Sequence, residues 1–138
     1  MNRTAGRIHE HLRRQVEAHG LTLTEFGVLE ALLHKGPLTH GDIADRVLLA
    51  SSSITYVIDK LEERGLLRRL QSEEDRRVKL AELTPDGREV IEAVFPEHVS
   101  LLNDLMAEIG LEEKRRAASV LRRVERCANE HDASAAPD

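Results

Sequence analysis

The chain has 138 residues, with 20 Lys and Arg against 25 Asp and Glu, a formal net charge of −5 and 41% hydrophobic residues. That is enough to bury one hydrophobic core and too little for two independent domains, so residues 1–138 read as a single domain. The one Cys excludes an intrachain disulfide and fits a reducing cytoplasm, while the absence of Trp and scarcity of aromatics disfavour single-strand binding by base stacking.

No apolar run approaches the roughly 20 residues needed to cross a bilayer, and the opening MNRTAGRIHEHLRR lacks the apolar centre of a secretion signal. The expectation is a soluble, cytoplasmic protein with no membrane partner.

In chain order, residues 3–19 carry Ile8, Leu12 and Val16 at four-residue spacing, an amphipathic helix closed by Gly20. A second helix over 24–34 gathers Phe26, Leu29, Leu32 and Leu33 on one face before Gly36 and Pro37 end it. Thr39 is placed to cap a third helix through Val47, with Asp42 near its positive end and Ile43 and Val47 inward.

After 48–50, a fourth helix has Ile54, Val57, Ile58 and Leu61 on one side and Ser52, Tyr56, Asp59 and Glu63 on the other, flanked by Ser53, Thr55 and Lys60. Ser51 or Ser52 would cap its start, and Gly65 would stop it.

Two short strands, 66–70 and 78–83, surround a charged turn containing Ser72 to Arg77. Thr84 and Pro85 then open a fifth helix to about residue 109, whose apolar stripe includes Val90, Ile91, Val94 and Leu101 and whose Pro96 predicts a bend. Gly110 precedes a last helix over about 111–129, with Val120, Leu121, Val124 and Cys127 expected to face inward. Residues 132–138 read as a frayed, disordered tail.

The fold class expected is mainly α with a small β-wing: a winged helix-turn-helix over 21–83, and a helical lobe from 1–20 and 84–131.

Charge is unevenly spread. Lys60, Arg64, Arg68, Arg69, Arg76, Arg77 and Lys79 crowd the fourth helix and the ribbon, whereas Arg88 is the only Lys or Arg between 82 and 113. A second basic cluster, from Lys114 to Arg126, is suited to pair with that acidic stretch within or between subunits. The order helix, basic ribbon, capped helix points to double-stranded DNA as partner, with the helix in a major groove.

On that reading Ser52, Ser53, Thr55 and Tyr56 face bases, sugars or phosphates, and Lys60 anchors a phosphate. The alternative for each is a solvated helix face, and for the ribbon tip a charged hairpin that keeps a sheet edge soluble.

The stretches LTLTEFGVLEALLHKGPLTHGDIADRV, SSSITYVIDKLEERGLLRR and EEDRRVKLAELTPDG resemble the MarR family of bacterial transcriptional regulators over nearly the whole chain. The resemblance implies a homodimer, with the terminal helices building the dimerisation lobe and two winged helices binding a palindromic operator. It implies that Asp75 orients an arginine entering the minor groove, Arg77 in first place, with Arg76 on phosphate. LLASSSITYVIDKLE and DRRV look most like members that respond to quinones, catechols and related electrophiles.

The resemblance further implies a pocket for a small aromatic effector, walled by the first, second and fifth helices. Ile8, His11, Leu12, Leu29, Phe95 and His98 are its candidate walls, each equally readable as core. Cys127 is a candidate redox residue beside Arg123 and Arg126, though its spacing from Val120 and Val124 reads first as a small core residue.

No metal or other cofactor is expected: His9 and His11 diverge on a helix, and no Cys/His cluster has zinc spacing, which leaves only a site across helices through His34, His40 or His98. No nucleophile elbow, phosphate loop or paired-carboxylate signature suggests an enzyme. The leading expectation is a repressor released by a phenolic or quinone-like ligand or an oxidant. The alternatives are a winged-helix protein-interaction module without DNA binding and a metal-responsive repressor.

Overall fold

The computed structural model describes residues 2–47, 51–72 and 75–135. Their order is α1 (Asn2–Glu17), α2 (Leu23–Lys35), β1 (Leu38–Thr39), α3 (His40–Val47), α4 (Ser51–Glu63), β2 (Leu67–Gln71), β3 (Lys79–Leu83), α5 (Pro85–Leu105) and α6 (Leu111–Ala135). One compact unit ends at Leu102 and another begins at Asn103. Among the described residues no helix is long and apolar enough to cross a membrane.

Local chemistry explains most of these boundaries. Gly20 takes φ 73° after α1, and Thr22 then opens α2 with a reciprocal capping box: Glu25 N–H donates to the Thr22 hydroxyl at 3.1 Å, and Thr22 N–H to the Glu25 carboxylate at 2.8 Å. Gly36, at φ 76°, ends α2 with its N–H on Leu32 O. Thr39 caps α3 as expected, accepting from Asp42 N–H at 3.1 Å.

The same residue also belongs to β1, which the sequence reading did not include. A two-residue strand has no periodicity of its own and exists because Leu38 and Thr39 pair with Ala81 and Leu80. The sheet is antiparallel in the order β1-β3-β2. β2 begins at Leu67 because Leu66 N–H is already bound to Leu61 O where Gly65 stops α4.

The core of the first unit lies where α1, α2, α3, α4 and α5 meet the sheet, and Val16, Leu29, Ile43, Ile54, Ile91 and Ala81 are fully buried. The link from wing to α5 is tight. Thr84 donates its hydroxyl to Gly65 O at 2.6 Å and accepts from Gly87 N–H at 3.0 Å, while Thr84 N–H reaches Leu66 O. A β-carbon on Gly87 would stand 1.7 Å from Leu66 O, which is why the turn LTPDG ends in glycine.

Three expectations need correction. α5 ends at Leu105 rather than near residue 109, because the chain tightens into three-residue turns such as Met106 N–H to Asn103 O. α6 runs on to Ala135, through a segment rich in alanine and without a stop signal, so residues 132–135 are helical rather than frayed. The remainder of the expected tail lies outside the described residues.

Val120, Leu121 and Val124 are 54%, 67% and 61% exposed, and Cys127 is exposed, so the inward placement and the core role of Cys127 do not hold. Periodicity shows that side chains share a helix face; it does not supply the surface that covers them.

Candidate nucleic-acid interface

α4 divides cleanly. Ile54, Ile58 and Leu61, at spacings of four and three, are fully buried, and Ser53, Thr55, Tyr56, Asp59 and Lys60 are exposed on the other side. Tyr56 is 64% exposed, an arrangement that leaves a large amphipathic ring for a partner rather than for the core. Lys60 reaches Glu63 at 3.1 Å and lies 5.8 Å from the Tyr56 ring centre; the hydrogen bond to Glu63 raises its pKa. Such a surface pair is worth little and exchanges readily for a phosphate. The side chains of Ser51 and Ser52, and with them the expected cap, lie outside the described residues.

Several of the basic residues between 60 and 79 are paired with acids or carbonyls of neighbouring elements. Arg64 donates to Gly20 O at 3.0 Å and pairs with Glu25 at 3.3 Å. Arg68 pairs with Glu82, its cross-strand partner. Arg69 is held by Asp59 and Glu62 of α4, and its backbone N–H also donates to Glu62 at 3.2 Å. These arginines join elements together, and Arg69 clamps the wing to the exposed side of α4.

Lys79 on β3 is exposed without an ion pair among the described residues, and the other cations left for a partner sit at the wing tip. Arg76 and Arg77 are exposed, and neither guanidinium makes an ion pair or hydrogen bond with a described residue. Asp75 shapes the tip by accepting from the backbone N–H of Arg77 at 2.9 Å, with Val78 N–H on Asp75 O at 2.9 Å and Ser72 N–H on Val78 O at 3.0 Å. The carboxylate therefore orients the main chain at Arg77 rather than its guanidinium.

Asp75→Ala is expected to weaken duplex DNA binding by about 0.5–1.5 kcal/mol, the net worth of a hydrogen bond, with an unchanged salt slope. Simple removal of a negative charge would instead tighten binding, and anisotropy titrations at several salt concentrations separate the two.

The expected pocket walls are dispersed. Leu29 is fully buried core, Leu12 half-buried, and Ile8 and His11 exposed. His11 lines a shallow concavity with Arg3, Arg7 and Glu10 on the polar side of α1. Phe95 and His98 do meet α2: the Phe95 ring lies edge-on to His34 at 4.9 Å, and the His98 ring lies tilted against Phe26 at 4.3 Å.

His98 Nδ1 is 2.9 Å from Gln15 Oε1, an acceptor, which ties α5 to α1. Burial pushes the His98 pKa down, so its neutral form is favoured. Gln15 was not singled out in the sequence, and Phe26 and His34 were not placed beside His98 and Phe95, because partners so distant in the chain leave no local signal. Among the described residues no group of His, Cys, Asp and Glu is arranged to hold a metal ion.

Comparison with known proteins agrees with this arrangement. The sequence profile of the MarR family matches residues 21–79. The HTH-type transcriptional regulator MhqR of Bacillus subtilis (strain 168) is 40% identical over 124 residues, spanning 90% of this chain and 86% of the relative. The chain belongs to the MarR family.

Its fold agrees with that membership. BpsR of Bordetella bronchiseptica, solved in a study of how 6-hydroxynicotinic acid regulates its DNA binding, superposes with a TM-score of 0.79 at 26% identity, covering 89% of this chain and 88% of that one. Sco3205, a MarR family regulator from Streptomyces coelicolor solved in complex with DNA, gives 0.81 at 25% identity over 88% of this chain and 78% of its own. This MarR-family chain is thus a DNA-binding transcriptional regulator of winged-helix fold.

Proposed function

We propose that the protein is a cytoplasmic repressor that binds a palindromic promoter site as a homodimer and is released by a small phenolic or quinone-like ligand, or by an oxidant. The observation that carries this reading is the junction of α4 with the wing. One polar helix face and one pair of uncommitted arginines are fastened to each other by Arg69. In this reading α4 enters the major groove with Ser52, Ser53, Thr55 and Tyr56 toward bases or sugar, Lys60 and Arg76 meet phosphates, and Arg77 enters the neighbouring minor groove.

The exposed Val120, Leu121 and Val124 of α6 support a second copy as partner, since an apolar helical stripe is stable in water only when covered. An aromatic effector would have to part the buried contact of His98 with Phe26 and Gln15, which would free a ring and two polar groups for it. That BpsR answers to 6-hydroxynicotinic acid is consistent with this class. Cys127, exposed in the single chain, is the thiol on which the oxidant arm rests.

The test is anisotropy of duplexes from the chain's own upstream region, with mass measured in parallel. A dimer should read half-sites about 10 base pairs apart, and inserting about 5 base pairs between them should abolish binding. Binding by a monomer, or indifference to the insertion, would overturn the dimeric palindrome reading.

A further inference from the structure

The β1–β3 pairing of Thr39 with Leu80 brings the next residue, His40, to the edge of the wing sheet. His40 is the first residue of α3, where β1 leads into the helix-turn-helix, and its Nε2 is buried without a hydrogen-bond partner among the described residues. The charged groups acting on it come from every side of the junction: Arg69 on β2, Lys79 on β3, and Asp59 and Glu62 on α4. These are two cations and two carboxylates, so the cluster balances only while His40 is neutral. Burial first, and the Arg69 charge next, push its pKa down and favour that neutral form.

Protonation changes what the imidazole needs. A cationic ring requires an acceptor for each N–H. The carboxylates acting on it, Asp59 and Glu62, are the two that hold Arg69. An imidazolium would therefore either draw on these carboxylates in competition with Arg69 or stay unpaired in the field of Arg69 and Lys79, and either outcome would loosen the wing from α4. We propose that His40 is a positioning residue whose protonation unseats the Arg69 clamp and so weakens DNA binding in acid.

The sign of this effect sets it apart from ordinary electrostatics. An added positive charge on a DNA-binding face normally tightens binding through phosphate attraction. Here the proton is taken up preferentially by the loosened form, so by linkage DNA and proton oppose each other. A histidine with a lowered folded-state pKa contributes nothing adverse above its ordinary value of about 6.5 and becomes a liability as pH falls below it.

The inference rests on the reading of α4 and the wing as one DNA-reading unit, and that reading is checked first by binding at neutral pH. If no duplex binds there, the parent reading fails independently of His40.

The experiment compares the full chain with His40→Gln, by anisotropy with a promoter duplex at fixed ionic strength, at about pH 7.5 and about pH 5.5. Circular dichroism at each pH confirms that both are folded. His98, also buried, is common to both proteins and cancels from the comparison. The unaltered protein is expected to lose at least about fivefold more affinity on acidification than His40→Gln, the low end of typical coupling between linked sites.

Parallel pH profiles, or a relative gain in affinity by the unaltered protein in acid, would overturn the proposal. His40→Lys provides an independent check at neutral pH. Its fixed charge should weaken binding despite adding a cation, and equal or tighter binding by the folded variant would count against the clamp role.

Discussion

Arg77→Ala is expected to weaken binding to a promoter duplex by about 1–3 kcal/mol and to relax any preference for an A·T-rich flank. The reason lies in what Arg77 does not do within the protein. Its guanidinium has no described acid partner, while the backbone on which it stands is held by Asp75 and the strand below is fastened to α4 by Arg69. Truncation should therefore leave fold stability within about 0.5 kcal/mol, as for surface changes away from special features, and place the whole effect on DNA.

Arg77→Lys should recover only part of the loss, since a narrow minor groove favours the less strongly hydrated guanidinium. Arg76→Ala should instead weaken all sequences alike and reduce the magnitude of the salt slope by about 1. Unchanged affinity for folded Arg77→Ala would remove the minor-groove assignment.

Gly87→Ala is expected to cost more than about 4 kcal/mol of stability, in the range reserved for changes that force the backbone apart. Inside a helix at ordinary φ, alanine normally stabilises by roughly 1 kcal/mol relative to glycine. Here the sign reverses because the new methyl would lie 1.7 Å from Leu66 O and 2.7 Å from its carbonyl carbon. That carbonyl cannot move away freely: it accepts from Thr84 N–H at 3.2 Å, and Thr84 in turn bonds Gly65 O and Gly87 N–H.

Relieving the clash means separating the start of α5 from the strand that leads into the wing. Gly6→Ala is the natural control, since nothing lies within 4 Å of the added carbon. It should hold or raise the thermal midpoint. A Gly87→Ala midpoint equal to that of the parent would show that the junction yields.

Both predictions depend on parts of the chain that are unequally legible in sequence. The buried side of α4 could be read directly, because Ile54, Ile58 and Leu61 recur at the helical period. Thr39 and Thr84 announced helix starts through hydrogen bonds that span three residues, whereas the Thr22 capping box was not read, and Gly20, Gly36 and Gly65 announced stops through positive φ. The fifth helix was readable at its capped beginning and overextended at its end, where no glycine or proline falls until Gly110.

The candidate interface was legible as a location, but not which acid holds which cation. The sequence singled out Arg76 and Arg77 for DNA and left Arg64, Arg68 and Arg69 without a role. Pairing to Glu25, Glu82, and Asp59 with Glu62 withdraws the last three from any contest for phosphate. Charge counting sees only the residues in the stretch. An ion pair also needs its acid, and Glu25 and Glu82 are brought close by the fold.

By itself, then, the sequence determined what short-range physics controls: the mainly α composition, the order of helix, ribbon and helix, the caps, and the polar face of α4. Its motifs also pointed to the family that the relatives establish. Only the tertiary structure decided which cations are paired, that Asp75 grips the backbone of Arg77, that Gly87 lies against Leu66, and that His40 Nε2 is buried without a partner among the described residues.

The division has one physical cause. Helical periodicity and capping act over three or four residues and are written into neighbouring positions, whereas an ion pair, a steric contact or a buried imidazole depends on groups that become neighbours only when the chain has folded.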